Sequence, residues 1–124
     1  MIVGIGTDII EVERIQKLLD KDTAFIEKIF TLAERAYCES KKHRAESYAA
    51  RFAAKEAVFK ALGTGWRGEM AFSEIEVVND ALGKPAIKMY GKVKEQAEAL
   101  GIKNMQLSLS HIKAFAQAFV VLEK

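Results

Sequence analysis

Cysteine is almost absent. Cys38 is the only one in 124 residues, which excludes an intrachain disulfide and a cysteine-cluster zinc site. No apolar run approaches ~18 residues, so no segment is expected to span a membrane. The opening Met1-Ile2-Val3-Gly4 lacks the charged region and long apolar region of a signal peptide, and a cytoplasmic protein is expected. Charge of one sign is scarce as well: a formal net charge of +2 is too small to argue for nucleic acid as a partner.

What remains is the composition of a globular domain, half hydrophobic and 29% charged. The length fits one domain spanning residues 1–124. A chain this short buries a modest fraction of its surface, so enclosing a large ligand calls for a neighbouring subunit.

Local patterns predict the elements. Ile2 to Asp8 reads as a strand, with Gly4 and Gly6 limiting bulk on one face. Glu11 to Lys21 reads as a helix with Val12, Ile15, Leu18 and Leu19 as its apolar stripe. A short helix follows around Ala24 to Phe30, and Thr31-Leu32-Ala33-Glu34 is a capping box that opens a third. Ser47 is positioned to cap a fourth helix running to Leu62, with Gly63 as a left-handed stop. Thr64 to Met70 reads as a loop, Phe72 to Val78 as a strand, and Pro85 to Tyr90 as its return after a turn. A helix over Lys92 to Leu100 and strands over Met105 to Ser110 and Phe115 to Leu122 complete the chain. Helices and strands segregate, which predicts an α+β domain with a mostly antiparallel sheet and helices packed on it.

The fourth helix carries the chemistry. At about 100° per residue, Tyr48, Phe52 and Phe59 share one side, while Ala50, Ala54, Ala57 and Ala61 fall nearly opposite. A helix apolar on both sides is buried. Glu56 sits beside Phe52 and Phe59, where a carboxylate needs a compensating cation. Lys60, four residues on, can supply one as a simple ion pair. Asp8, between apolar neighbours, either caps the first helix or needs a cation too. Two carboxylates with phosphate oxygens form the hard oxygen set that Mg²⁺ prefers. Lys60 can neutralise phosphate charge, and Gly63-Thr64-Gly65 can bring backbone N–H groups to an anion. That glycine loop follows a helix, so it is not a nucleoside-triphosphate P-loop.

Three segments then become recognisable: Gly4-Ile5-Gly6-Thr7-Asp8-Ile9-Ile10-Glu11, the stretch from Arg51 through Glu56 and Lys60 to Gly65, and Leu107-Ser108-Leu109-Ser110-His111. In order and spacing they resemble the signature blocks of the holo-[acyl-carrier-protein] synthases, the small bacterial type of 4′-phosphopantetheinyl transferase. Gly83-Lys84-Pro85 resembles that family's turn, and the likeness covers essentially the whole chain.

The resemblance implies transfer of 4′-phosphopantetheine from coenzyme A to a serine of apo acyl carrier protein. Adenosine 3′,5′-bisphosphate leaves. It implies Mg²⁺ held by Asp8 and Glu56, with Lys60 on the phosphates, and either Glu56 or a metal-bound water oriented by Asp8 as general base. It places Arg51, Ser110 and His111 near the nucleotide and its 3′-phosphate, Phe52 and Gly63-Thr64-Gly65 along the same cleft, and Pro85 near the adenine. It further implies a homotrimer with sites between subunits and a role in fatty acid biosynthesis.

Arg14, Lys17 and Lys21 share one helix face, which alone reads as solvated; the resemblance implies docking of the acidic carrier. Cys38 reads as a packing residue, His43 as solvated, and Trp66 as a ligand cover, an interface residue or a core residue. Two further readings remain: a Mg²⁺-dependent nucleotide pyrophosphohydrolase that uses the same carboxylates on water, and a non-catalytic carrier-binding module whose basic first helix is the functional part.

Overall fold

The computed structural model describes residues 1–65 and 68–124, and Trp66 lies outside them. In chain order the elements are β1 (Ile2–Glu11), α1 (Val12–Lys21), α2 (Thr23–Ile29), α3 (Leu32–Glu39), α4 (Arg44–Ala61), a 3₁₀ turn (Phe72–Glu74), β2 (Ile75–Asn79), β3 (Pro85–Met89), α5 (Gly91–Ala99), β4 (Asn104–His111) and β5 (Phe115–Glu123). The fold is α+β, and among the described residues every strand pairing is antiparallel. The strands form two sheets: three in the order β1-β5-β4, and a β2-β3 hairpin.

Two glycines fix the central packing. Strand alternation puts Gly4, Gly6, Asp8 and Ile10 on the inner face of β1. A Cβ at Gly4 or Gly6 would run into the carbonyl oxygens of Ala61 and Ala57, so β1 lies directly on the alanine side of α4. Ala116, Ala118, Val120 and Leu122 complete that wall with no exposure. Burying a side chain such as Leu122 contributes roughly 1.5–3 kcal/mol. The outer face of the same sheet leaves Ile5, Ile9, Phe115 and Phe119 exposed.

On its other side α4 buries aromatic rings and one lysine. Phe52 stacks on Phe72 with centroids 5.7 Å apart, and Phe59 meets Phe72 edge-on at 5.1 Å. Lys55 is fully buried, and its Nζ donates to Glu34 Oε1 at 2.8 Å and to the carbonyls of Phe72 and Ile75. Glu34 also accepts from the backbone N–H groups of Thr31 and Val77, both at 2.9 Å. This knot ties α3, α4 and β2 together.

Several boundaries differ from the sequence reading. β1 runs on to Glu11 because its ladder with β5 continues to Glu11 opposite Phe115. Helix α1 therefore begins at Val12, its N-cap Glu11 makes no side-chain cap, and Asp8 lies inside the strand rather than capping a helix. Helix α4 starts at Arg44, three residues before Ser47, after His43 as N-cap. Residues Phe72–Glu74 form the 3₁₀ turn, so β2 starts only at Ile75. The Thr31–Glu34 capping box forms as expected, and Gly63 ends α4 with φ of 80°. Among the described residues no helix is long and apolar enough to cross a membrane.

Candidate active site

Because β1 alternates, Asp8 follows Gly6 on the face toward α4. Lys60 Nζ donates to Asp8 Oδ1 and to the Thr7 carbonyl, both at 3.0 Å. The Glu56–Lys60 ion pair that helix spacing allows does not form; the ammonium goes to the strand carboxylate instead. Glu56 stays half-buried close by. Burial, and then the Asp8 charge, push its carboxyl above the ordinary range, against the pull of Lys60. Two carboxylates and one lysine thus share a corner. Among the described residues no third carboxylate, histidine or cysteine joins them as a metal ligand.

A second group forms a cleft of about 210 Å³. Arg51, Pro85 and His111 line it together, with Tyr37, Ser47 and Asn79. His111, ending β4, meets Glu46 of α4 at 3.0 Å through Nδ1. Arg51 is 3% exposed and donates through Nη2 to Asn79 Oδ1. Asp8, Glu56 and Lys60 do not line this cleft. Ser110 lines a neighbouring hollow with Ile9, Phe115 and Gln117, and His111 borders both.

The remaining candidates are dispersed. Phe52, one turn before Glu56, is held by Phe72 and by Phe25 at 6.1 Å. Gly63 and Gly65 flank the end of α4, while Thr64 borders a broad groove with Lys92, Glu95 and Gln96. Arg14, Lys17 and Lys21 are exposed on α1, where Lys17 pairs with Glu13 at 3.5 Å. The Cys38 thiol is buried and pushed up to about 12, which leaves it no nucleophilic character. His43 lies 3.8 Å from the Glu46 carboxylate.

Sequence reasoning missed Lys55, Tyr37 and Asn79. A lysine on the aromatic side of a buried helix was the available signal for the first. Tyr37 and Asn79 meet Arg51 from separate elements, and nothing local announces that.

A small α+β domain with Asp8 on its first strand and Glu56 and Lys60 on its central helix matches a family model described as the 4′-phosphopantetheinyl transferase superfamily, over residues 4–120. A curated holo-[acyl-carrier-protein] synthase of Ruminiclostridium cellulolyticum is 52% identical over 120 residues, covering 95% of this chain and 90% of the relative. The crystal structure of the Neisseria meningitidis holo-[acyl-carrier-protein] synthase superposes with a TM-score of 0.88 at 41% identity, covering all of both chains. That of the Bacillus anthracis synthase, in complex with CoA (3′,5′-ADP), gives 0.81 at 47% identity, covering 98% of this chain and 96% of that one.

The chain belongs to the 4′-phosphopantetheinyl transferase superfamily and, within it, to the holo-[acyl-carrier-protein] synthases. It is accordingly an enzyme, a phosphopantetheinyl transferase, which sets aside the non-catalytic module.

Proposed function

We propose that this chain transfers 4′-phosphopantetheine from coenzyme A to a serine of apo acyl carrier protein, in a Mg²⁺-dependent reaction that releases adenosine 3′,5′-bisphosphate. The observation that carries the reading is the Asp8–Lys60 contact beside half-buried Glu56. The donor set fits a hard divalent cation: two carboxylates leave one negative charge after Lys60 is counted, and burial makes that charge costly. Asp8 and Glu56 would hold Mg²⁺, which when bound withdraws charge from the pyrophosphate oxygens.

The residues divide the remaining work. The serine oxygen forms a bond to the β-phosphorus of coenzyme A, and the bond from that phosphorus to the bridging oxygen breaks. Glu56, which holds a proton more tightly than an ordinary carboxylate, is the base we assign to the serine proton, with a water oriented by Asp8 as the alternative. Lys60, with its side chain 53% exposed, neutralises the departing phosphate. Arg51 and His111 hold the nucleotide end, with Pro85 against the adenine; Ser110, Phe52 and the Gly63-Thr64-Gly65 turn border the bound molecule. The exposed basic face of α1, with Arg14, Lys17 and Lys21, fits an acidic carrier.

The catalytic corner and the Arg51–His111 cleft have separate linings within one chain. We take the complete site to form between subunits, in the homotrimer that the family resemblance implies, with the exposed Ile5, Ile9, Phe115 and Phe119 as an apolar contact face. Light scattering at the mass of one chain would contradict this assembly.

The test of function is incubation with coenzyme A, Mg²⁺ and an apo carrier, followed by mass spectrometry. The carrier should gain the phosphopantetheine mass. No gain across several carriers rejects the transferase, and coenzyme A breakdown without any carrier would favour the pyrophosphohydrolase.

A further inference from the structure

Arg51 is held in a way its own hydrogen bonding does not explain. It is buried, yet it borders the cleft it shares with Pro85 and His111. Its guanidinium carbon lies 4.0 Å from the centroid of the Tyr37 ring. Its Nη2 donates to Asn79 Oδ1 at 2.5 Å, and Asn79 Nδ2 donates onward to the Gly83 carbonyl at 3.0 Å. Its Nε has no hydrogen-bond partner among the described residues, and no carboxylate among them pairs with the group. A buried donor left unpaired is unfavourable, so a guanidinium settling for its own sake would turn to satisfy it. Packing on Tyr37 and a single amide hold it otherwise.

We infer that Tyr37 and Asn79 are positioning residues that fix the Arg51 guanidinium for a phosphate monoester in this cleft, the 3′-phosphate of coenzyme A. The inference rests on the transferase reading above. A planar fork discriminates by geometry only when both its tilt and its rotation are set. The Tyr37 face sets the tilt, by stacking and by attraction of the cation to the ring. The Asn79 oxygen, pinned through Gly83 to the turn that precedes Pro85, sets the rotation. Neither contact cancels the positive charge. An aspartate at position 79 would accept the same hydrogen bond and neutralise the arginine; the neutral amide orients it and leaves the charge for the ligand.

Steady-state transfer with coenzyme A and with 3′-dephospho-coenzyme A tests this. Tyr37→Leu and Asn79→Asp should each raise the KM for coenzyme A by about three- to tenfold, with kcat within about twofold of wild type. The KM for the dephospho substrate should not move. Tyr37→Phe, which keeps the ring, should retain the wild-type KM. Asn79→Asp is the decisive variant if Tyr37→Leu folds poorly, because it keeps an acceptor of the same size on Arg51 while adding the neutralising charge and removing the donor to the Gly83 carbonyl. A wild-type KM for coenzyme A in Asn79→Asp, or an equal rise for both substrates, overturns the inference while leaving the transferase intact. A wild-type protein that transfers nothing overturns the transferase reading, and this inference with it.

Discussion

Lys60 Nζ and Asp8 Oδ1 lie 3.0 Å apart, joining residues separated by 52 positions in the sequence. The contact exists because Gly4 and Gly6 let β1 lie on the backbone of α4, which carries Asp8 to the last turns of the helix. It draws Lys60 away from its helical neighbour Glu56 and leaves two carboxylates sharing one lysine.

The first expectation concerns pH. Folding holds the Glu56 proton more tightly than the unfolded chain does, by burial first and the Asp8 charge second. The corresponding stability is present below the ordinary carboxylate value and lost as pH rises through the raised native value. In metal-free protein the Tm contribution of this group should therefore fall from about pH 4.3 upward. Glu56→Gln should flatten that part of the profile, and a divalent cation should offset the fall. An identical slope in Glu56→Gln would assign the effect to another group.

The buried Lys55–Glu34 pair should behave as a unit. Lys55→Met strands the Glu34 carboxylate and should lower stability by about 3–5 kcal/mol in urea unfolding. Adding Glu34→Leu to that variant should recover part of the loss, because the stranded charge goes with it. A Lys55→Met loss under about 1 kcal/mol would mean that the pair is not desolvated in solution.

Gly6→Ala should lower stability by about 1–3 kcal/mol, since the new methyl must displace the Ala57 carbonyl. The same shift moves Asp8, two residues on, so transfer activity should drop further than the unfolded fraction accounts for. Wild-type stability would show that β1 and α4 are not in backbone contact.

Reversing charge on α1 should separate the two substrates. Arg14→Glu should raise the KM for carrier by about tenfold, with a weaker salt dependence, and leave the KM for coenzyme A unchanged. Equal effects on both would make the basic face incidental.

Much of this was legible in the sequence where chemistry conflicted with its surroundings. Asp8 and Glu56 stood out as carboxylates among apolar neighbours, and the structure brings both to one corner. Short-range signals also held, as in the Thr31–Glu34 box and the Gly63 stop. What was hidden depended on distant partners. The end of β1 is set by β5, more than 100 residues later, so the strand outran its local pattern. Glu34 read as a capping residue alone, and Lys55 drew no reading of its own, until three elements closed around them. Tyr37 and Asn79 acquire a role only where the cleft assembles.

The most direct measurement is Mn²⁺ binding, followed by electron paramagnetic resonance in the presence of coenzyme A, for the wild type, Asp8→Asn and Glu56→Gln. One ion per site should bind in the wild type. Either substitution should weaken that binding by at least about tenfold and depress transfer by about 10²-fold or more, while circular dichroism stays native. Unchanged ion affinity and turnover in both variants would contradict a shared cation between Asp8 and Glu56.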